Sequence, residues 1–186
     1  MFVGFIAVVV ILLIIVGLMS TGATSGSGGV DQTKATKAIS EISALAQSTG
    51  FYKTTVDTSD YAGLNTDALV NAGIVSGADT ITGADVVAAD YEIDGASTIG
   101  DNDTVVVSKA VPGVIYKVYA NTDATLGDNY FNVDIGTKKT LTAGLKQALD
   151  TTYAKLHANV DGQTNPNEKD FEDSNTSDGA EVIVFN

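Results

Sequence analysis

The chain opens on its longest apolar run, MFVGFIAVVVILLIIVGLM from Met1 to Met19, in which only Gly4 and Gly17 interrupt the side-chain surface. As a helix rising 1.5 Å per residue, such a run spans roughly 28 Å, about the hydrocarbon thickness of a bilayer. The pattern then breaks. Ser20 to Gly29 read STGATSGSGG, and Gly22, Gly26, Gly28 and Gly29, with no bulky residue among them, predict a segment where a helix melts or bends. Periodicity resumes at Asp31, a residue suited to an N-cap. Ala35, Ala38, Ile39, Ile42, Leu45 and Ala46 recur at steps of three and four, which places them on one face of a helix ending near Gly50. Lys34, Lys37, Ser40, Glu41 and Gln47 fall on the opposite face.

Beyond Gly50 the elements shorten. Asn65-Thr66-Asp67 followed by Ala68, Leu69, Val70 and Ala72 predicts a short capped helix stopped by Gly73. Asp85 to Ile93, Thr104 to Val107, Val114 to Tyr119, Tyr130 to Ile135 and Glu181 to Phe185 read as strands between Gly, Asp and Asn turns. Asp57-Thr58-Ser59-Asp60 and Asp101-Asn102-Asp103 read as turns closed by their own side chains. Leu141, Leu145, Ala148, Leu149, Thr152, Tyr153 and Leu156 follow helical steps, with Thr140 as the candidate N-cap. The expected fold class is α+β: a long N-terminal helix, built of an apolar half, a Gly/Ser break and an amphipathic half, packed on an antiparallel sheet head with one or two further helices. The sheet is expected to pack on the 31–49 helix, with the later helix covering another edge or face. The expected division is residues 1–29 as apolar helix and break, and residues 30–186 as amphipathic helix and head.

Charge follows the same division. No charged residue precedes Asp31, so the net charge of −13 belongs entirely to the later part. No arginine occurs, and the lysines are scattered apart from Lys138-Lys139, so neither a bidentate phosphate fork nor a basic stripe for nucleic acid is present. The absence of cysteine removes disulfides, thiolate catalysis and cysteine-ligated zinc. No Lys or Arg stands before Lys34 to form a signal-peptide n-region or a basic membrane flank. The expectation is that a charged leader was removed immediately before Met1 or Phe2.

An uncharged apolar helix, a glycine-containing break and an amphipathic continuation onto a head together resemble a type IV pilin, nearest to the type IVb subgroup or a divergent filament lineage. The resemblance implies a subunit whose apolar helices pack in a filament core. It assigns the assembly helix to Met1, Phe2, Phe5, Ile6, Val9, Ile11, Leu12, Leu13, Ile15 and Leu18, and the unwinding segment to Gly22, Gly26, Gly28 and Gly29. Two departures stand out. Pilins carry a glutamate at the fifth mature position, where this chain has Phe5, or Ile6 if Phe2 comes first, and the C-terminal cysteine pair is missing. The implied partners are further copies of the chain in a helical homopolymer, the cytoplasmic membrane before assembly, and a pilus assembly machinery. The implied location is an extracellular filament. Two other readings remain: a monomeric single-pass anchored binding or adhesion domain, and a secretion-system pseudopilin.

Candidate chemistry is sparse. His157 is the sole histidine, and no serine stands in a G-x-S-x-G context, so no constellation argues for an enzyme. Within 161–178, Asp161, Asn165, Asn167, Glu168, Asp170, Glu172 and Asp173 offer oxygen donors enough for calcium, but at steps that do not match the EF-hand loop. A solvated acidic loop is the expectation there, with no cofactor. Asn102 and Asn175 each begin an N-glycosylation acceptor triplet.

Overall fold

The computed structural model describes residues 27–93, 99–121, 128–160 and 182–185. It is an α+β fold in the order α1 (Ser27–Thr49), α2 (Tyr52–Thr55), α3 (Thr66–Asn71), a single 3-10 turn (Gly77–Asp79), β1 (Thr80–Thr82), α4 (Gly83–Ala88), β2 (Tyr91–Ile93), β3 (Thr104–Val107), β4 (Val114–Ala120), β5 (Phe131–Lys138), α5 (Ala143–Val160) and β6 (Val182–Phe185). Every strand pairing is antiparallel. The strand order is β1-β3-β4-β5-β2. β6 joins β5 on the edge that β2 also uses: β6 covers Phe131 to Asp134 and β2 covers Gly136 to Lys138.

Alternation along the central strands gives the sheet two apolar faces. Val114, Tyr116 and Val118 of β4, with Phe131, Val133 and Ile135 of β5, point to one face and meet Ala35, Ala38, Ile39, Ile42 and Leu45 of α1. Leu145, Leu149 and Tyr153 of α5 belong to the same cluster, and Gln32 Nε2 donates to Thr152 Oγ1 across the two helices at 2.9 Å. The later helix therefore lies beside α1 on the same face, where the sequence suggests another edge or face. On the reverse face Val105 and Ile115 pack with Val86 of α4. The connection that produces this second layer is β1–α4–β2, which starts at one edge of the sheet and ends at the other.

α1 tolerates many hydroxyl residues because each bonds back one turn. Thr33, Thr36, Ser40, Ser43 and Thr49 donate to the carbonyls of Gly29, Gln32, Thr36, Ile39 and Leu45. Thr36, Ser43 and Thr49 are buried in consequence without an unmet polar group.

Several boundaries differ from the sequence pattern. α1 already includes Ser27, Gly28 and Gly29, so Asp31 lies within it rather than capping it, and the expected boundary at 29/30 falls inside one continuous element. Helical hydrogen bonding propagates back through two glycines because the following four turns are held on the sheet. Gly22 and Gly26 lie outside the described residues. Residues 85–93 are not one strand. Thr82 Oγ1 accepts from the Asp85 N–H and donates to Asp85 Oδ2, capping α4, and the strand is confined to Tyr91–Ile93. The Val86-Val87 pair, strand-like by propensity, is split between a buried Val86 and an exposed Val87. α5 starts at Ala143, and the cap is Thr142, whose hydroxyl accepts from Leu145 N; Thr140 lies in the preceding turn. β1 and α2 carry no signal in the pattern. By contrast Asn65 caps α3 through the Ala68 N–H at 2.7 Å, and Gly73 follows that helix with a positive φ, as expected.

Two glycines make opposite predictions. A Cβ at Gly83 would stand 2.0 Å from the Gly100 carbonyl oxygen, so Gly83→Ala is expected to lower stability by more than about 2 kcal/mol. Gly28 has nothing within 4 Å of its Cβ position, and Gly28→Ala is expected to raise stability by up to about 1 kcal/mol. Ile42→Ala, at a fully buried site, is expected to cost about 2–5 kcal/mol. Denaturant midpoints read by circular dichroism check all three.

Candidate functional site

The most developed polar site joins α1 to the β3–β4 connection. Glu41, which the helical pattern places on the polar face, instead reaches across to that connection. Its Oε1 accepts from the backbone N–H groups of Lys109 at 3.0 Å and Ala110 at 2.9 Å. Its Oε2 accepts from Ser108 Oγ at 2.5 Å and lies 2.9 Å from Tyr116 Oη. Tyr116 Oη is also 3.0 Å from the Ala38 carbonyl, and its single proton serves either acceptor. A carboxylate has about four lone-pair sites, and here a donor faces each. Ser108 continues the network, accepting from Val111 N at 2.9 Å while its own N–H donates to the Val114 carbonyl.

Charge-assisted bonds of this kind are the stronger class. Their effect is to tie the middle of α1 to the one hairpin turn beneath it. Burial holds the Tyr116 hydroxyl well above the ordinary tyrosine range. The Ser108 hydrogen bond opposes this, and the charge of Glu41 and its hydrogen bond push the same way as burial.

α1 carries two acids, and both are turned toward the domain. Asp31 lies against Gly144 in the first turn of α5, where the positive end of that helix favours a carboxylate. Lys34 and Lys37 point outward and are exposed, and no carboxylate pairs with either among the described residues. Sequence periodicity locates these lysines correctly on the outer face.

A second polar group occupies the reverse face of the sheet. Lys117 Nζ pairs with Asp103 Oδ2 at 2.8 Å, and Tyr119 Oη donates to Asp134 Oδ1 at 3.1 Å. Burial alone would raise the Asp103 carboxyl, but the hydrogen bonds from Lys117 and the Gly100 N–H outweigh it, so the net shift is downward. Asp134 is fully buried, and Asn132, opposite Tyr119 in register, has an Oδ1 with no hydrogen-bond partner. Alternation could have flagged this cluster, since Lys117, Tyr119, Asn132 and Asp134 are polar side chains that fall on one face of two neighbouring strands.

Between α1, the segment before β1, and β3 lies a groove of about 250 Å³ whose apolar floor includes Leu45, Ile74, Val75 and Val106. At its polar side Lys109 Nζ meets Asp79 Oδ2 at 2.7 Å. This volume falls below the roughly 300 Å³ at which small-molecule sites begin.

The ten assembly-helix residues from Met1 to Leu18, Asn175 and the acidic segment 161–178 lie outside the described residues. Asn102 is exposed in the turn before β3, where the Gly100 N–H donates to Asp103 Oδ2. His157 lies within α5. Among the described residues no three metal-ligating side chains come together, and no helix is long and apolar enough to cross a membrane. No family model, curated protein or solved structure matches this chain.

Glu41→Gln replaces a carboxylate oxygen by an NH2 group facing donors, and is expected to cost about 1.5–3 kcal/mol, whereas Lys37→Gln should stay within about 0.5 kcal/mol. Urea unfolding of both variants tests the contrast. The raised hydroxyl of Tyr116 also fixes a pH dependence. A folded-state value above the unfolded one favours the protonated native form, so its contribution is complete below about pH 10 and is lost as pH rises further. Tyr61 and Tyr91, both raised by burial, act in the same direction. The urea midpoint is expected to hold from about pH 8 to pH 10 and then fall, more gently in Tyr116→Phe.

Proposed function

We propose that this chain is the structural subunit of an extracellular filament of the type IV pilus kind. The observation that carries the reading is continuity in the sequence. The uncharged run Met1 to Met19 leads, with no charged residue between, into α1, whose inner face is fully occupied by its own sheet. A segment so apolar needs either lipid or other copies of itself, since each large side chain contributes roughly 1.5–3 kcal/mol when taken out of water. Lipid and a bundle of like helices remove that surface from water about equally well, which permits transfer from one to the other. The subunit is held in the membrane before assembly, then extracted by an assembly machinery into a helical homopolymer with the acidic heads facing water.

Phe5 or Ile6 stands where this reading would place the glutamate of the usual pilins, which sets the chain apart from them. Adhesion and motility are the roles such filaments serve.

Sheared cell-surface material viewed by electron microscopy, with N-terminal sequencing, tests the reading. Thin filaments of the chain starting at Met1 or Phe2 are the expected result; recovery from membranes as a monomer would sink it. Val9→Asp and Ile11→Asp each bury a charge in the proposed core, so each is expected to abolish filaments while the α+β circular dichroism of the chain is retained. Normal filaments from either variant would refute the packed core.

A further inference from the structure

Of the two N-glycosylation acceptor triplets, Asn102-Asp103-Thr104 lies within the described residues, and the fold accounts for its surroundings but not for its asparagine. The Asp103 N–H donates to the Gly100 carbonyl at 2.9 Å, closing a four-residue turn with Asp101 and Asn102 at its two central positions. The start of α4 holds this turn. The Gly83 N–H donates to the Asp103 carbonyl at 2.7 Å, and the Ala84 N–H to the Asp101 carbonyl at 3.3 Å. Asp103 Oδ2 accepts from the Gly100 N–H and from Lys117 Nζ. Asparagine suits turns for two reasons: its side chain bonds to nearby backbone, and it tolerates a positive φ. Asn102 uses neither. Among the described non-glycine residues only Asp57 and Asp90 have a positive φ, and no hydrogen bond among the described residues engages the Asn102 side chain. Thr104 is comparable. Its β-branch suits β3, where valine would serve as well, but its hydroxyl makes no hydrogen bond among the described residues.

The two groups that the fold leaves unused, the Asn102 carboxamide and the Thr104 hydroxyl, are the two that an acceptor triplet requires. We infer that Asn102 carries an N-linked oligosaccharide. Its Nδ2 forms a bond to the anomeric carbon of a lipid-phosphate-linked oligosaccharide. The bond from that carbon to the phosphate oxygen breaks, the lipid phosphate leaves with the electron pair, and the amide nitrogen gives up one proton. Nothing is oxidised or reduced. Acceptor triplets of this kind belong on surface loops, and Asp101 and Asn102 are both exposed. Attachment there undoes no contact, because the turn is held through its backbone and through Asp103. The turn is fastened to α4, which covers the face of the sheet away from α1, the helix that continues the apolar run. A bulky hydrophilic group at this place leaves the α1 face undisturbed. The inference rests on the extracellular reading above, since such acceptors are modified in secreted chains.

Mass spectrometry of the full-length chain from the cells that make it is the test. Cleavage after lysine separates the two triplets: the peptide from Thr54 to Lys109 holds Asn102, and the peptide from Asp170 onward holds Asn175. The expected result is a 54–109 peptide heavier by whole monosaccharide residues, with fragmentation placing them on Asn102. An unmodified 54–109 peptide, or sugar confined to one of its hydroxyl residues, would overturn the inference. Asn102→Gln and Thr104→Val are each expected to abolish the added mass, and Thr104→Ser to retain it. Thr104→Val keeps the β-branch that the strand uses, so loss of the sugar in that variant reports the hydroxyl rather than the fold. Sugar retained on this peptide in Asn102→Gln or in Thr104→Val would overturn the assignment. Electron microscopy of the same cells separates this inference from the filament reading. Filaments built of chain unmodified at Asn102 would sink the inference alone. A glycan on a chain that forms no filaments would uphold it and sink the filament reading, and the absence of both would sink the two together.

Discussion

The apolar stripe of α1 has to be covered, and nearly every other part of the domain is arranged around that requirement. α1 is rich in Ser, Thr and Gly, a composition with weak helix propensity. In isolation such a helix would be marginal. It persists because Ala35, Ala38, Ile39, Ile42 and Leu45 are removed from water by β4, β5 and α5. Ala35, Ala38 and Ile42 are fully buried in this layer. Hydroxyls that would weaken a free helix bond to their own preceding turn and are sealed in.

Glu41 gives that packing a fixed register. Apolar contact is non-directional and would tolerate some sliding of α1 along the sheet. The carboxylate does not, because its donors come from three consecutive residues, Ser108, Lys109 and Ala110, and from one tyrosine two strand positions beyond Val114. By drawing the acid inward the same contact leaves the outer ridge of the helix basic. An interaction that stabilises the interior therefore also decides the sign of charge on the outside.

The reverse face of the sheet is built differently. There a short helix crosses between the two edge strands, and a polar group on β4 and β5 replaces part of the apolar layer. The two sides of the domain are consequently covered differently, one by α1 and α5 and the other by α4.

What the sequence by itself determined is whatever depends on local pattern: the amphipathic stripe of α1, the Asn65 cap and Gly73 stop of α3, the central strands, the late helix, and the uncharged opening run. The α+β class followed from these. Tertiary structure decided what depends on partners distant in sequence. It showed that Val86-Val87 lies in a capped helix rather than a strand, with one valine meeting the sheet and the other the solvent. It extended β5 to Lys138, because β2 pairs there, and it placed α5 beside α1 on one face of the sheet. Above all it turned Glu41 inward. Helical periodicity assigns a residue to an angle around an axis, and that angle puts Glu41 on the polar face; whether a carboxylate there meets water or a turn with aligned donors depends on a segment nearly seventy residues away, which no local pattern records.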